Sequence, residues 1–139
     1  MTAASAVPQE LALEPARRSS VLFLLRFEGL AVAALSAVLY ARIGASWWLF
    51  AALFLVPDLS MLGYLAGACR GARIYNAIHT YVTPAALALC AMLFQDHIAL
   101  AIALIWASHI GLDRLLGYGL KYADGFGYTH LGRIGKHKA

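Results

Sequence analysis

Charged residues are scarce in this chain. Aspartate, glutamate, lysine and arginine make up 13% of its 139 residues, whereas hydrophobic residues make up 62%. A soluble globular domain carries roughly a quarter charged residues, so the composition excludes an ordinary soluble domain and favours a domain embedded in a bilayer. The formal net charge of +4 does not indicate a nucleic-acid partner, because the basic residues flank apolar runs and are typical of topology signals.

Cysteines and the motifs of common soluble enzymes are equally rare. Cys69 and Cys90 do not form a CxxC pair, and they are predicted near opposite faces of the membrane, which argues against a disulfide or a thiolate metal site. No serine stands in a GxSxG context, and the C-terminal glycines follow no strand, as a nucleotide-binding loop would require. The serine-hydrolase and nucleotide-binding classes are therefore excluded.

Four long apolar stretches dominate what is present, and each approaches the roughly 20 residues that a helix needs to cross a bilayer. They are Ser20–Ile43, Ala45–Ala68, Arg73–Phe94 and His97–Leu120. The turns near Gly44 and Gln95–Asp96 are short, and short turns make neighbouring helices antiparallel. The sequence predicts an all-α integral membrane protein, an antiparallel four-helix bundle over residues 20–120, between a mobile segment 1–19 and a basic tail 121–139.

The basic residues predict the orientation of this bundle. On one side of the predicted spans lie Arg17, Arg18, Arg70, Arg73, Lys121, Arg133, Lys136 and Lys138. The other side carries only Arg42. Because lysine and arginine concentrate in cytoplasmic loops, both termini are predicted to be cytoplasmic. The first span is not read as a cleaved signal peptide, because its apolar run is too long and Arg26 and Glu28 interrupt its start.

Four polar residues within the spans are predicted to lie at one depth. Counting about 1.5 Å of rise per residue places Asp58, His79, His109 and Asp113 at the midplane or in the cytoplasmic half. A charge at the bilayer centre costs roughly 2.5–3.5 kcal/mol, so such groups are expected to gather. Two imidazoles and two carboxylates suit a divalent metal such as zinc, and these four residues are predicted to be its ligands and the catalytic residues.

Neighbouring features extend this hypothesis. Pro57 is predicted to kink the second span beside Asp58 and to free a backbone carbonyl. The cations Arg26, Arg114 and Lys121 are predicted to bind an anionic group of the substrate. The tail is a candidate to fold back over the cytoplasmic mouth and add His130 to the site.

Structural interpretations of the same residues stay open beside the functional one. Arg26 and Glu28 are expected to form a buried ion pair, and His109 and Asp113 an i, i+4 hydrogen bond that fixes the tautomer of the imidazole. For His79 the sequence offers three ordinary partners: Asn76, Thr80 and Tyr81.

Four segments in order resemble one known family. They are VPDLSMLGYLAG at Val56–Gly67, YNAIHTYVTP at Tyr75–Pro84, HIGLDRLLGYGLKY at His109–Tyr122 and THLGRIG at Thr129–Gly135. Together they are similar to the small bacterial membrane proteins of domain-of-unknown-function family 4260, over Leu25–Gly135. The resemblance implies a multi-pass protein of the bacterial inner membrane, with Asp58, His79, His109, Asp113 and His130 at positions of the family pattern.

One departure from this pattern concerns the tail. An acidic residue is expected before Thr129, where this chain has Tyr128, which puts the part of the tail in any site in question. A fainter likeness connects the chain to membrane-bound metal-dependent hydrolases, which also place a Pro-Asp pair and histidines in or beside apolar spans.

Two classes of function follow. The first is a metal-dependent hydrolase that acts on a lipid-like or phosphorylated substrate at the cytoplasmic leaflet. The second is a non-catalytic membrane protein: a proton or ion relay, a transport accessory or a structural subunit. This second class implies a homo-oligomer or a larger membrane complex, because four helices alone make a thin conduit. The residues alone leave open whether the protein is an enzyme.

Overall fold

The computed structural model describes the backbone of residues 9–134 and the side chains of residues 19–134. Over this range the chain is helical apart from its loops and a short C-terminal hairpin. The helices are α1 (Gln9–Arg42), α2 (Trp47–Leu53), a 3₁₀ helix (Val56–Ala66), α3 (Ala68–Ile78), α4 (Val82–Phe94) and α5 (His97–Leu116). Strands β1 (Tyr128–Thr129) and β2 (Gly132–Arg133) pair antiparallel to form the hairpin.

Four helical stretches are long and apolar enough to cross a membrane, as predicted. They are Ser19–Arg42, Trp47–Ala66, Ala68–Phe94 and His97–Leu116. The second consists of α2 and the 3₁₀ helix, and the third consists of α3 and α4. The two turns near Gly44 and Gln95–Asp96 are confirmed, with left-handed backbone at Gly44 (φ 70°) and Gln95 (φ 56°).

The boundaries differ from the prediction in three places. The connection expected at residues 69–72 is wrong, because Gly67 (φ 102°) alone separates the second and third stretches and residues 69–72 lie on α3. The fourth stretch ends at Leu116, since Gly117 (φ 94°) closes α5 in a left-handed cap. Helix α1 already begins at Gln9; residues 1–8 of the predicted mobile segment lie outside the described residues, as do residues 135–139 of the predicted tail.

Helix α5 is the most buried of the four stretches and packs closely against α1. A Cβ atom built on Gly111 would lie 2.6 Å from the backbone oxygen of Gly29, and one built on Gly29 would lie 2.8 Å from the oxygen of Gly111. Only residues without side chains allow two helices to approach this closely. This crossing sets the position of the α5 residues around Gly111, which include two of the predicted ligands.

The chain after α5 folds back against the helices. The Asn76 side chain accepts a hydrogen bond from the backbone N–H of Lys121 (2.7 Å) and donates one to its carbonyl (2.8 Å). Lys121 also forms an isolated β-bridge with Thr129. Residues 121–134 therefore form a structured cover over one end of α3 and α5, beyond what the predicted basic tail implied.

Candidate metal centre

The structure brings the four predicted ligands together. The Nε2 atoms of His79 and His109 lie 3.3 Å apart. From Asp58 Oδ1, His79 Nε2 is 3.5 Å away and His109 Nε2 is 3.4 Å away. Asp113 Oδ2 lies 3.6 Å from each of the two Nε2 atoms. All four donor atoms are within 4.8 Å of one another.

The five separations that involve a histidine nitrogen, 3.3–3.6 Å, are close to the edges of a tetrahedron around one ion, whereas the two carboxylates are within 4.8 Å of each other. Zinc binds histidine nitrogen and carboxylate oxygen at roughly 2.0–2.1 Å, which requires about 3.3–3.4 Å between neighbouring ligand atoms. Both histidines are buried, whereas the side chains of Asp58 and Asp113 keep 33% and 16% exposure. The cluster could hold a metal ion between two buried imidazoles and two partly exposed carboxylates.

The surroundings of His79 prepare its Nε2 atom for a metal. Its Nδ1 atom lies 3.1 Å from the backbone oxygen of Tyr75 and 3.4 Å from Ser60 Oγ. Because a carbonyl only accepts hydrogen bonds, Nδ1 carries the proton that it donates there, and Nε2 keeps its lone pair. The Tyr75 ring stacks on the imidazole with 3.8 Å between centroids, so the plane of the ligand is fixed as well.

Asp58 reaches the centre from the 3₁₀ helix. Pro57 is buried in its first turn, where the missing N–H of proline is least costly, and the Asp58 N–H donates to the Leu55 carbonyl (3.1 Å). The predicted kink thus takes the form of an 11-residue 3₁₀ helix. Such runs rarely exceed three or four residues, and within a helical stretch they often mark a functional segment.

His79 lies where the third stretch breaks between α3 and α4. A break inside a bilayer exposes carbonyls that only protein groups can satisfy. Three consecutive carbonyls each accept a side-chain hydrogen bond: Ala77 from Thr83 (2.7 Å), Ile78 from the Trp106 indole (2.8 Å) and His79 from Arg114 (3.1 Å). The break is therefore a built feature that holds His79 in place.

The three predicted substrate-binding cations lie at different places. Arg114 is buried, and its guanidinium binds the His79 carbonyl and contacts the His130 ring. Arg26 is exposed on α1 and its guanidinium lies against Gly117. Lys121 is buried with its ammonium 5.0 Å from the centroid of the Tyr75 ring. Lys121 is thus linked to the metal centre through the ring that stacks on His79.

Burial and the neighbouring carboxylates shift the pKa of Lys121 in opposite directions. Burial lowers the pKa of Lys121, and the carboxylates of Asp113 and Asp58 partly oppose this effect. The ammonium therefore lies within the electrostatic reach of both acidic ligands. A cation near two carboxylates that could hold a metal ion is suited to bind an anionic group of a bound molecule.

His130 folds back as predicted but does not join the four ligands. Its Nδ1 atom accepts a hydrogen bond from the Leu120 N–H (2.8 Å), and its Nε2 atom lies 3.2 Å from Arg114 Nη1. Partial burial and the adjacent guanidinium lower the pKa of His130, which keeps the ring neutral and able to accept. His130 therefore fastens the tail and reaches the centre only through Arg114.

Two structural interpretations are wrong within the described residues. Arg26 and Glu28 are both exposed and form no ion pair with each other in residues 19–134, so the expected buried pair does not exist there. The expected ordinary partners of His79 are also wrong. Asn76 binds Lys121, and the groups that contact His79 Nδ1 are the Tyr75 carbonyl and Ser60.

Three residues of the site were missed by the sequence interpretation: Ser60, Tyr75 and Trp106. Ser60 follows Asp58 by two positions. Tyr75 precedes His79 by four positions, a spacing that places Tyr75 and His79 on one helix face. That spacing was a usable signal for Tyr75. Trp106 donates to a carbonyl 28 positions earlier, and no local pattern indicates such a contact.

An apolar cleft adjoins the metal centre. It has a volume of about 470 Å³ and is open on one side. Its walls come from the second, third and fourth stretches: Leu53, Val56, Pro57, Ser60, Ile74, Ile78, Ile102, Ile105 and Trp106. Pro57 precedes the ligand Asp58, and Ser60 contacts the ligand His79, so one wall of the cleft is continuous with the centre.

Comparison with known proteins identifies one family. The family model described as domain of unknown function (DUF4260) matches residues 23–134. No curated protein and no solved structure matches the chain. The match includes all four members of the Asp/His cluster, the cleft and the folded-back tail.

Proposed function

We propose that this chain, which belongs to the DUF4260 family, is a multi-pass membrane protein that binds one divalent metal ion and hydrolyses a lipid-like or phosphorylated substrate. The observation that carries the proposal is the set of four donor atoms from Asp58, His79, His109 and Asp113, which lie within 4.8 Å of one another, with every separation that involves a histidine nitrogen between 3.3 and 3.6 Å. A metal ion held by these residues would lower the pKa of a bound water and polarise a carbonyl or phosphoryl oxygen.

The protein residues have separable parts in this reaction. His79, His109 and Asp113 would hold the ion and leave a fourth position for water, and Asp58, whose side chain is the most exposed of the four, would act on that water as a general base. In hydrolysis the water oxygen bonds to the carbonyl carbon or phosphorus, and the bond to the leaving group breaks. Asp58 takes a proton from the water and delivers it to the leaving group, as a carboxylate does in general acid–base catalysis.

Electrostatics favours an anionic substrate. The two carboxylates neutralise the charge of a divalent ion, which leaves the buried cations Arg114 and Lys121 uncompensated at the centre. Arg114 is already bound to the His79 carbonyl, so it acts mainly by charge and by holding the α3–α4 break. The Lys121 ammonium lies over the Phe126 and Tyr75 rings (3.6 and 5.0 Å from their centroids), where its charge attracts a phosphate or carboxylate at the centre, and the exposed Arg26 steers such a group from further out.

We propose an antiparallel bundle with both termini cytoplasmic, in the inner membrane of a bacterium. Support comes from the contacts between α1 and α5, where later residues of one helix meet earlier residues of the other: Arg26 against Gly117, Gly29 against Gly111 and Ala33 against Ser108. The lysine and arginine distribution supports the orientation. In this arrangement the metal centre faces the cytoplasmic leaflet.

Metal analysis of purified protein tests the proposal. We expect about one equivalent of zinc or a similar ion per chain, and loss of that ion in the variant His79→Ala/His109→Ala. The control is His97→Ala, which removes a histidine at the start of α5, outside the cluster, and retains the metal. Chelation should abolish cleavage of short-chain ester, amide and alkyl phosphate substrates, and metal should restore it. Wild-type protein without stoichiometric metal contradicts the proposal.

One observation also favours a non-catalytic alternative. Without an ion, the two Nε2 atoms and two carboxylates are close enough to share protons as a hydrogen-bonded relay. A relay requires a homo-oligomer or a partner to complete a path across the membrane. Metal-stripped protein in liposomes with an internal pH dye separates the two functions: a relay carries protons, and Asp58→Asn stops it, whereas a hydrolase leaves the dye unchanged.

A further inference from the structure

We infer that the apolar cleft binds one hydrocarbon chain, so that the substrate is a single-chain amphiphile whose head group lies at the metal centre. The inference rests on the proposed function for the cleavage, and on the cleft alone for the binding. It specifies that the substrate has one hydrocarbon chain, that this hydrocarbon lies in the cleft, and that the head group points to the metal centre.

The lining of the cleft determines what fits inside it. All its walls belong to membrane-spanning stretches. The only side-chain polar groups are those of Ser60, which faces His79, and Trp106, whose indole N–H is already bound to the Ile78 carbonyl. A polar group deep in the cleft would lose its hydrogen bonds with water and find no partner, which disfavours it there. The occupant is therefore hydrocarbon along the length of the cleft.

The size of the cleft favours one chain. Its volume of about 470 Å³ lies in the lower half of the roughly 300–1,000 Å³ typical of pockets for small molecules. Because lipid tails are as apolar as the cleft walls, a chain in the cleft replaces contacts with other lipid chains at little cost, and recognition comes from fit and from the head group.

The position of the cleft orients the chain. Pro57 and Ser60 line the cleft and flank the ligand Asp58, and Ile105 lies one helical turn before the ligand His109 on α5. A chain along these residues brings its polar end to the two partly exposed carboxylates. The buried ammonium of Lys121 lies beside the same centre, so an anionic head group is favoured there.

Fluorescence quenching tests the binding directly. The chain has three tryptophans, and Trp47→Phe/Trp48→Phe leaves Trp106, which lines the cleft, as the only one. The probe is a single-chain alkyl phosphate with two bromine atoms in mid-chain, added to this variant in nanodiscs of non-brominated phosphatidylcholine. We expect saturable quenching at about one probe per protein chain.

Matched substitutions on α5 locate the binding. Ile102→Phe fills the cleft and should raise the half-saturating probe concentration about tenfold. Ile98→Phe is one turn earlier, where the side chain is 70% exposed and does not line the cleft, and should leave binding unchanged. Ile78→Phe, on the opposite wall, replaces Ile102→Phe if that variant does not fold.

The outcomes separate this inference from the proposed function. Quenching that rises linearly with the probe fraction in the bilayer, and is equal in Ile102→Phe and Ile98→Phe, means ordinary lipid contact and overturns the inference even if the metal binds. Saturable quenching that Ile102→Phe weakens supports the cleft even if metal analysis finds no ion, in which case only the proposed hydrolysis fails.

Discussion

His79 is fixed from three directions. Its Nδ1 atom contacts the Tyr75 carbonyl, its face stacks on the Tyr75 ring, and its own carbonyl accepts from Arg114. Each contact restricts a different freedom: the tautomer, the ring plane and the backbone. A ligand held in this way loses little conformational entropy on binding a metal, which is the advantage of a preorganised site.

His130 provides a pH-dependent prediction outside the membrane-spanning stretches. Because its pKa lies below the ordinary value of about 6.5, the docked tail binds a proton less well than the undocked tail. Docking is thus fully stable above about pH 6.5 and weakens as the pH falls below it. Protonation removes the acceptor for the Leu120 N–H, and losing one hydrogen bond corresponds to about 2–10-fold faster amide exchange.

Hydrogen exchange of residues 117–124, corrected for the intrinsic rate at each pH, measures this effect between about pH 7.5 and 5.5. His130→Gln retains an acceptor that does not titrate and should flatten the pH dependence. His97→Gln, at the start of α5, should behave as wild type. The same acid-induced acceleration in His130→Gln would show that another group controls the tail.

The members of the Asp/His cluster were predictable from the sequence, whereas the groups that contact them were not. Asp58, His79, His109 and Asp113 stand out because ionisable groups in apolar spans are costly. Tyr75 and Ser60 contact the Nδ1 atom of His79, and Trp106 binds a carbonyl that the α3–α4 break leaves without a helical partner. Hydropathy along the sequence does not reveal such contacts.

Two interrupted segments and one continuous helix build the centre. Asp58 comes from the 3₁₀ helix and His79 from the α3–α4 break, whereas His109 and Asp113 come from α5. Irregular backbone within a bilayer is tolerated where protein groups satisfy it or where it lines a cavity. Both conditions hold here, since side chains cap the break and the 3₁₀ helix lines the apolar cleft.

Replacing Pro57 tests the role of the 3₁₀ helix. Pro57→Ala restores an N–H and allows α2 to continue as an α-helix, which moves Asp58 away from the histidines. We expect metal affinity, measured by competition with a chromophoric chelator, to fall about tenfold or more, with stability changed by about 1 kcal/mol or less. Pro84→Ala removes the other buried proline of this region, in α4, and should keep the metal. Equal affinity in both variants would contradict the prediction.

At the α1–α5 crossing, replacing Gly111 by alanine is predicted to lower stability, which is the opposite of the usual effect of Gly→Ala in a helix. Gly→Ala within a helix normally stabilises by about 1 kcal/mol, but the added Cβ of Gly111→Ala would lie 2.6 Å from the Gly29 oxygen. We expect a loss of about 1–3 kcal/mol and weaker metal binding, because His109 and Asp113 flank this position. Thermal unfolding by circular dichroism in detergent measures the first effect.

The control for this crossing is Ala86→Gly on the exposed face of α4. It should destabilise only through helix propensity and leave metal binding intact. Gly111→Ala protein as stable as wild type would mean that the two helices separate without cost, and the close crossing would not be what positions α5.

The four spans were predictable from the sequence, whereas the breaks inside them were only partly predictable. Apolar length predicted four spans, and Gly44 and Gln95–Asp96 predicted two turns. Pro57 indicated a kink, although its extent was not foreseen. The break at His79 depends on Thr83, Trp106 and Arg114 for its carbonyl partners, so a pattern read along one span does not reveal it.

At the scale of the whole molecule, polarity is uneven along the bundle. Around Tyr40, Ala101, Leu104 and Ile105 the core is apolar, whereas the Asp/His cluster, Arg114 and Lys121 lie towards the other end of α5. The folded-back tail covers this polar end through Lys121 and His130. If that end faces the cytoplasm, a soluble product leaves into the cytoplasm while a hydrocarbon chain stays in the membrane.

The proposed access from the cytoplasmic leaflet therefore depends on the orientation of the bundle in the membrane. Cysteine accessibility measures this orientation in a variant that lacks Cys69 and Cys90. Ser46→Cys lies in the α1–α2 turn, and Asp124→Cys lies in the exposed loop of the tail. With lysine and arginine on the inside, a membrane-impermeant maleimide added to intact cells should label Ser46→Cys at once and Asp124→Cys only after permeabilisation. His97→Cys, at the start of α5, should follow Ser46→Cys if the helices run antiparallel. Labelling of Asp124→Cys in intact cells would place the metal centre at the outer leaflet, and a cytoplasmic substrate would then have no access to it.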